Sequence, residues 1–206
     1  MSKHTTNEYE HHYWQQDKSL IGIDEAGRGP LAGPLVVAGV IFDKGYENDE
    51  IYDSKGISEN KREHLFEIIK KDAKEYFIEI VEPCIIDDEN IYRATQNAMD
   101  RIATKLNASV VLTDAMPLPN QSKEVVSLIK GDQKSISIAA ASILAKVTRD
   151  RIMLEYDEQY PKYGFKRHKG YPTKEHLHAL ELYGALDIHR KSYGPVQRCL
   201  QMKLDI

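Results

Sequence analysis

Short apolar runs with strand character open the readable part of the chain. Residues 19–24 (SLIGID) and 34–42 (PLVVAGVIF) are rich in β-formers and are separated by the turn sequence GRGPLAGP, the pattern of two neighbouring strands. Residues 76–81 (YFIEIV) alternate like a third strand, and 110–113 (VVLT) and 125–129 (VVSLI) read as two more of the buried type. Elsewhere the apolar period becomes helical. Leu65, Ile68 and Ile69 form a stripe within 59–74, a helix that Ser58 can cap. Ile91, Ala94, Thr95, Ala98, Ile102 and Leu106 recur at helical spacing behind Asp87 and Asp88, either of which can serve as cap. A third helix is predicted over 138–159, where Ala139, Ala140, Ala141 and Ala145 permit close packing on a sheet. A fourth is predicted over 173–183, with Gly184 as its stop. Paired strands followed by strands alternating with helices predict an α/β fold, a mixed sheet with helices on its faces.

The chain has 206 residues, 41% of them hydrophobic, enough to bury a core as one domain, and it carries no internal repeat or low-complexity linker. Three parts are expected: an uninformative extension over 1–18, a core over 19–160, and a basic, aromatic helical segment over 161–206 packed on that core. The formal charge of −4 excludes a uniformly basic nucleic-acid coat. It also conceals an asymmetry. Residues 1–160 hold 19 basic and 28 acidic side chains, whereas 161–206 hold 9 basic and 4 acidic ones. An acidic body with a basic end can hold cations in one place and a polyanion in another. The most apolar stretch, 31–42, is interrupted by Gly33, Pro34 and Gly39 and falls well short of the ~18 residues of a membrane span. With no apolar segment in the first twenty residues either, a cytoplasmic location is expected. Cys84 and Cys199 are in neither a disulfide framework nor a zinc spacing.

Chemistry gathers at strand ends. Asp24 and Glu25 leave the first strand directly before Gly27, Arg28 and Gly29, and successive side chains on a strand point to opposite faces, so the pair cannot both enter the core. A solvated strand end is the ordinary reading of such a pair, but glycines flanking an arginine suit backbone brought against a ligand. Asp114 ends VVLT in the same way, and Asp132 follows VVSLIKG just before the third helix, where it could also act as a cap. If these strands are neighbours, four carboxylates converge on one edge and repel unless they are protonated or neutralised by hard divalent cations. Oxygen ligands favour Mg²⁺ or Mn²⁺ over zinc. Two such ions, about 3.5–4 Å apart, can drive phosphodiester hydrolysis without a nucleophilic side chain. Asp24 is expected to bridge them, Glu25 and Asp132 to serve one each, and Asp114 to act as a further ligand or behind the ligands. No His/Asp partner accompanies Ser54 or Ser137, so acyl transfer is unsupported. The eight histidines, without an HExxH, are expected at the surface. Asp150 either assists near the site or pairs with Arg149 or Arg151.

The stretch GIDEAGRGPLAGPLVVAGVIF, the DSK of residues 53–55, Thr113-Asp114, KGDQKSISIAAASILAKVTRD from Lys130, HKGYPTKEH from His168 and HRKSYGPV from His189 together resemble the bacterial type 2 ribonucleases H, the ribonuclease HII family. The resemblance runs over nearly the whole chain from Leu20. It implies a ribonuclease H-like fold with a C-terminal helical extension. The implied activity is an endonuclease that cuts the RNA strand of RNA/DNA hybrids and nicks DNA on the 5′ side of a single embedded ribonucleotide. By motif, Asp24, Glu25, Asp114 and Asp132 are the catalytic acids, Gly27, Arg28 and Gly29 read the ribose 2′-hydroxyl, and Tyr171 contacts the sugar at the RNA-to-DNA junction. Ser54, Lys55 and Lys146 complete the candidate substrate contacts, the two lysines as phosphate or salt-bridge partners. Gly56-Ile57 and Tyr193 depart from the residues common at those positions in the family and touch none of the acids. The expected partners are the hybrid and the ribonucleotide-containing duplex; no membrane and no protein partner is read, and a monomer is expected. A catalytically silent nucleic-acid-binding domain on the same fold is the alternative, against which the intact acidic quartet argues. The sister ribonuclease HIII family is disfavoured by DEAGRGP.

Overall fold

The computed structural model of the chain describes residues 5–52 and 54–202, without the side chains of Lys55 and Met202. Asp53 and the Lys55 side chain, both of the DSK motif, therefore lie outside the described residues. Five strands form one sheet: β1 (Leu20–Ala26), β2 (Leu35–Ile41), β3 (Glu75–Val81), β4 (Val110–Asp114) and β5 (Glu124–Leu128), in the order β3-β2-β1-β4-β5. β1, β2 and β3 are antiparallel neighbours, whereas β4 runs parallel to β1 and β5 parallel to β4. The mixed sheet and its flanking helices are the fold that the alternation of patterns predicts.

The two sheet faces follow from the two-residue period of β1 and β2. Val36, Ala38 and Val40 point to a layer built by α2 (Glu59–Asp72) and α5 (Ile136–Gln159). Ile21, Ile23, Leu35 and Val37 point to the opposite layer, in which α4 (Ile91–Lys105) supplies Ala94, Ala98 and Ile102. Buried Ala139, Ala140, Ala141 and Ala145 bring α5 against β1 and β2, so the longest helix runs behind the strand that carries Asp24.

Several local expectations are corrected. Asp87 and Asp88 lie inside a short helix of their own, α3 (Pro83–Glu89), and the cap of α4 is Asn90, which accepts the Arg93 N–H at 3.1 Å. Asp87 instead accepts the N–H groups of Lys191 and Ser192, both at 2.8 Å, and so ties down the C-terminal segment. α5 begins at Ile136, because the Ser135 hydroxyl accepts the Ile138 N–H. β5 ends at Leu128, so Asp132 sits in a separate 3₁₀ turn, Gly131–Gln133. The first eighteen residues contain α1 (Glu8–Gln15), whose Tyr13 and Trp14 are buried and whose Glu10 accepts the Ser135 hydroxyl at 2.6 Å and the Ser137 N–H at 3.0 Å. Beyond α5 come α6 (Phe165–His168), α7 (Lys174–Tyr183) and α8 (Gly194–Met202). His168, His176 and His189 are buried among them, against the expectation of surface histidines, because each finds backbone or imidazole partners that replace water. Among the described residues no helix is long and apolar enough to cross a membrane.

Candidate active site

Parallel pairing brings the acids together. Ile23 of β1 stands opposite Thr113 of β4, so Asp24 and Asp114, each one residue further on, leave the same edge of the sheet. Asp24 pairs across β2 with Ala38 and Glu25 with Val37, which places the two acids on opposite faces where the strand meets the sheet edge. Both still line one cavity of about 250 Å³, together with Asp114, Gly27, Arg28, Gly29, Ser54, Ser142, Lys146, Arg149 and Tyr171.

Asp132 flanks that group instead of lining it. The Gly131 N–H donates to Asp114 Oδ1 at 2.9 Å, which couples the 3₁₀ turn carrying Asp132 to the end of β4. Asp132 is itself 6% exposed. Among the described residues no three Asp, Glu, His or Cys side chains stand as a closed cation cage. The edge thus gathers the acids without closing them on a point.

The electrostatics of Asp24 and Glu25 are those of charges held at a cost. Burial, then Glu25, then Asp114 push the Asp24 carboxyl well above its ordinary range, against the Glu25 N–H that donates to it at 2.7 Å. Burial likewise raises Glu25, with Arg28 opposing the shift and Asp114 adding to it. Arg28 Nη1 is 3.6 Å from Glu25 Oε1, whereas the other oxygen, Oε2, is buried without a hydrogen-bond partner.

The turn after β1 is shaped by what lies beneath it. Gly27 has φ +99°, and a Cβ there would fall 2.2 Å from Arg149 Nε, so no side chain fits. At Gly29 a Cβ would reach the ring of Tyr171, 3.4 Å from Cε1. Two buried guanidiniums hold the turn by its carbonyls. Arg149 donates to Ala32, Pro34 and Lys169, and Arg190 donates to Gly27, Arg28 and Gly33, all at 2.6–3.2 Å. Tyr193, where the family resemblance is imperfect, adds a hydroxyl that donates to the Arg28 carbonyl at 2.7 Å.

Other candidates resolve individually. Ser54 Oγ lies 2.9 Å from Ser142 Oγ at the cavity wall. Lys146 pairs with Asp150 at 2.6 Å, one helical turn along α5, and the Asp150 charge also acts on Arg149. Arg151 pairs with Glu63 instead. Ser142, Arg149 and Arg190 escaped the sequence reading. Ser142 and Arg149 could have been found from helical spacing, since 142, 146 and 149 share the α5 face that carries Lys146. Nothing local in HRKSYGPV marks Arg190 as buried.

The family model described as Ribonuclease HII matches residues 21–196. The chain belongs to the ribonuclease HII family. A ribonuclease HII of Francisella tularensis subsp. novicida is 52% identical over 183 residues, which is 88% of this chain and 99% of that one. The ribonuclease H2 of Pyrococcus horikoshii has the same fold, with a TM-score of 0.75 at 23% identity over 91% of this chain and all of that chain. A ribonuclease HII of Archaeoglobus fulgidus, solved in complex with PCNA, gives a TM-score of 0.73 at 28% identity over 85% of this chain and 95% of that one. Membership makes the chain a nuclease of the ribonuclease H class, a class that acts on RNA/DNA hybrids, and the ribonuclease H-like fold expected from the motifs is the fold it has.

Proposed function

We propose that this ribonuclease HII cuts the RNA strand of hybrids and nicks duplex DNA on the 5′ side of a single embedded ribonucleotide, as ribonucleotide excision repair and primer removal require. The observation that carries the reading is one cavity shared by two kinds of apparatus. Acids line it, the buried Asp24 with the half-buried Glu25 and Asp114, and so do the 27–29 turn and Tyr171.

The donor set fits hard cations. Asp24, Glu25, Asp114 and Asp132 offer oxygen only, and the partnerless Glu25 Oε2 together with the raised carboxyls of Asp24 and Glu25 mark charge that Mg²⁺ or Mn²⁺ would neutralise. When bound, two such ions supply an activated water and a counter-charge for the phosphate and the departing 3′-oxygen. The chain's own residues do the rest. Backbone groups of Gly27, Arg28 and Gly29 approach the ribose closely enough to read its 2′-hydroxyl, the one group that separates RNA from DNA. The Tyr171 ring, 44% exposed, packs on the sugar at the junction. Ser54 and Lys146 line the same cavity and would meet the flanking phosphates, and Lys55 is a further contact on the motif alone. Because water attacks and the 2′-hydroxyl is only recognised, the products carry 5′-phosphate and 3′-hydroxyl ends.

The test is a DNA duplex with one ribonucleotide, compared in Mg²⁺ with the same duplex carrying a 2′-deoxy sugar at that position. A nick 5′ of the ribonucleotide and an intact control are expected, and equal cutting of the all-DNA duplex would sink the reading. Asp132→Asn should abolish cleavage while substrate binding persists; unchanged turnover would remove Asp132 from the ligand set.

A further inference from the structure

His168, His176 and His189 come from α6, α7 and the segment before α8, and they meet behind Tyr171. All three are buried, at 7%, 0% and 1% exposure. The rings of His168 and His176 stack, with centroids 4.6 Å apart and planes 11° from parallel. Their hydrogen bonds admit one consistent arrangement of protons. His189 Nδ1 is 2.9 Å from the Leu186 N–H and must accept it, so the proton of the neutral ring is on Nε2. That Nε2 lies 3.0 Å from His176 Nε2, which must then accept, leaving the His176 proton on Nδ1. Nδ1 of His176 in turn is 3.0 Å from the Tyr171 carbonyl oxygen. His168 is fixed in the same way: its Nδ1 accepts the Gly170 N–H at 3.2 Å and its Nε2 donates to the Tyr163 carbonyl at 2.8 Å.

The end of this chain of donors is the segment that carries the sugar-facing ring. The Tyr171 N–H donates to the His168 carbonyl at 2.8 Å, and the Leu31 N–H donates to the Gly170 carbonyl at 2.8 Å, so the segment is also tied to the turn after β1. A Cβ on Gly170 would meet the Ala32 oxygen at 2.4 Å, which shows how closely the two segments are docked. The main chain of Tyr171 is thus held at its carbonyl by the His176 imidazole and at its N–H by the His168 carbonyl, while its ring lies on the side of Gly29.

We infer that His176, oriented by His189, is a positioning residue of the sugar-reading site: its Nδ1–H fixes the Tyr171 main chain and so sets the ring against the ribose. This rests on the reading of Tyr171 as the sugar contact. His176 touches no substrate. Its effect on cleavage passes through Tyr171, which separates it from a residue that merely fills the core.

Two measurements test it. Nitrogen-15 NMR of the histidine side chains at neutral pH should show the Nδ1–H tautomer for His176 and the Nε2–H tautomer for His168 and His189. A His176 ring protonated on Nε2 would overturn the arrangement without any variant having to fold. In cleavage of the single-ribonucleotide duplex, His176→Phe keeps a stacked ring, loses the donor to the Tyr171 carbonyl and leaves the His189 Nε2–H without its acceptor, and kcat/KM should fall at least about tenfold. His176→Asn, whose amide can occupy the Nδ1 position, should recover most of that loss. In a Tyr171→Ala background His176→Phe should cost nothing further. If Tyr171→Ala is impaired and His176→Phe adds its full loss on top, only the positioning role fails. If Tyr171→Ala is itself silent, the sugar-contact reading fails with it.

Discussion

Gly29 faces the ring edge of Tyr171: a Cβ on it would stand 3.4 Å from Cε1. The two residues are more than 140 positions apart in the chain, yet they line one cavity beside the acids. A methyl group at Gly29 narrows that space without asking the backbone for an unusual conformation. Gly27 differs: its φ of +99° and the Arg149 side chain beneath it exclude any side chain. Gly29→Ala should therefore keep its melting temperature and lose roughly ten- to a hundredfold in kcat/KM, as displaced reacting groups do. Gly27→Ala should lose stability, by about 1–3 kcal/mol or more, for a strained φ and a clash together. Parallel thermal melts and kinetics on the pair decide it, and a Gly29→Ala enzyme with full activity would show that the gap between turn and ring is not used.

The strand and helix pattern was legible because burial has a period. β1 to β5 and the helices α2, α4, α5 and α7 follow from apolar spacing, since each lays one face on the sheet or its neighbours. Asp24, Glu25 and Asp114 were legible as strand-end acids, and parallel pairing of β1 with β4 brings them to one edge. What stayed hidden depends on partners distant in sequence. Glu10 is fully buried only because the N-terminus of α5 offers Ser135 and Ser137 to it. Arg149 and Arg190 are buried only because the 27–34 turn presents carbonyls in place of water or carboxylates. Charge alone would have put all three at the surface.

Removing one of the buried charges should separate activity from stability. Asp24 is 6% exposed, and its carboxyl is raised chiefly by burial and then by Glu25 and Asp114. A carboxyl raised in the folded state stabilises the fold while protonated, at acid pH, and that contribution is lost as pH rises through its folded value. At neutral pH the ionised form is therefore a liability that Asp24→Asn relieves at constant shape, because the amide oxygen can still accept the Glu25 N–H. The variant should melt higher than the parent in EDTA, by about 1 kcal/mol in stability, and show no cleavage. Adding Mg²⁺ or Mn²⁺ should raise the melting temperature of the parent and leave that of Asp24→Asn nearly unmoved. A cation effect of equal size on both proteins would place binding elsewhere.

Arg190 should be among the most sensitive residues outside the acids. It gathers the carbonyls of Gly27, Arg28 and Gly33, and Tyr193 shares the Arg28 carbonyl with it. Arg190→Met keeps much of the apolar stem and strands at least two buried acceptors, which should cost on the order of 3 kcal/mol. Lysine cannot span three carbonyls with one ammonium, so Arg190→Lys should rescue only a fraction. Tyr193→Phe removes one hydroxyl donor and should cost only about 1 kcal/mol. Urea denaturation of the three variants ranks them, and a Tyr193→Phe protein weaker than Arg190→Met would reverse the assignment of which side chain holds the turn.

Acid should destabilise the C-terminal segment before ordinary carboxylates protonate, whereas the raised carboxyls of Asp24 and Glu25 act in the opposite sense as they take up protons. Burial depresses His176 to about 4 and His189 to about 3 from an ordinary 6.5, each further lowered by a neighbouring imidazole, and burial lowers His168 as well. A histidine depressed in the folded state binds its proton more readily when unfolded. Its contribution is present above pH 6.5 and is lost as pH falls toward the folded value. For His176 and His189 the window therefore opens near pH 6.5 and runs down to about pH 4 and 3. Ordinary aspartates and glutamates begin to protonate only near the lower end of this range, so the decline between about pH 6.5 and 5 belongs to the histidines. Each of the two should contribute a loss on the order of 2 kcal/mol by pH 5. His189→Gln keeps a donor able to reach His176 but loses the acceptor for the Leu186 N–H and does not titrate, so its stability at pH 7 should be lower and its slope between pH 6.5 and 5 shallower than that of the parent. Denaturant unfolding across that range measures the slope directly, and identical slopes in the two proteins would mean that His189 is not the group that takes up the proton.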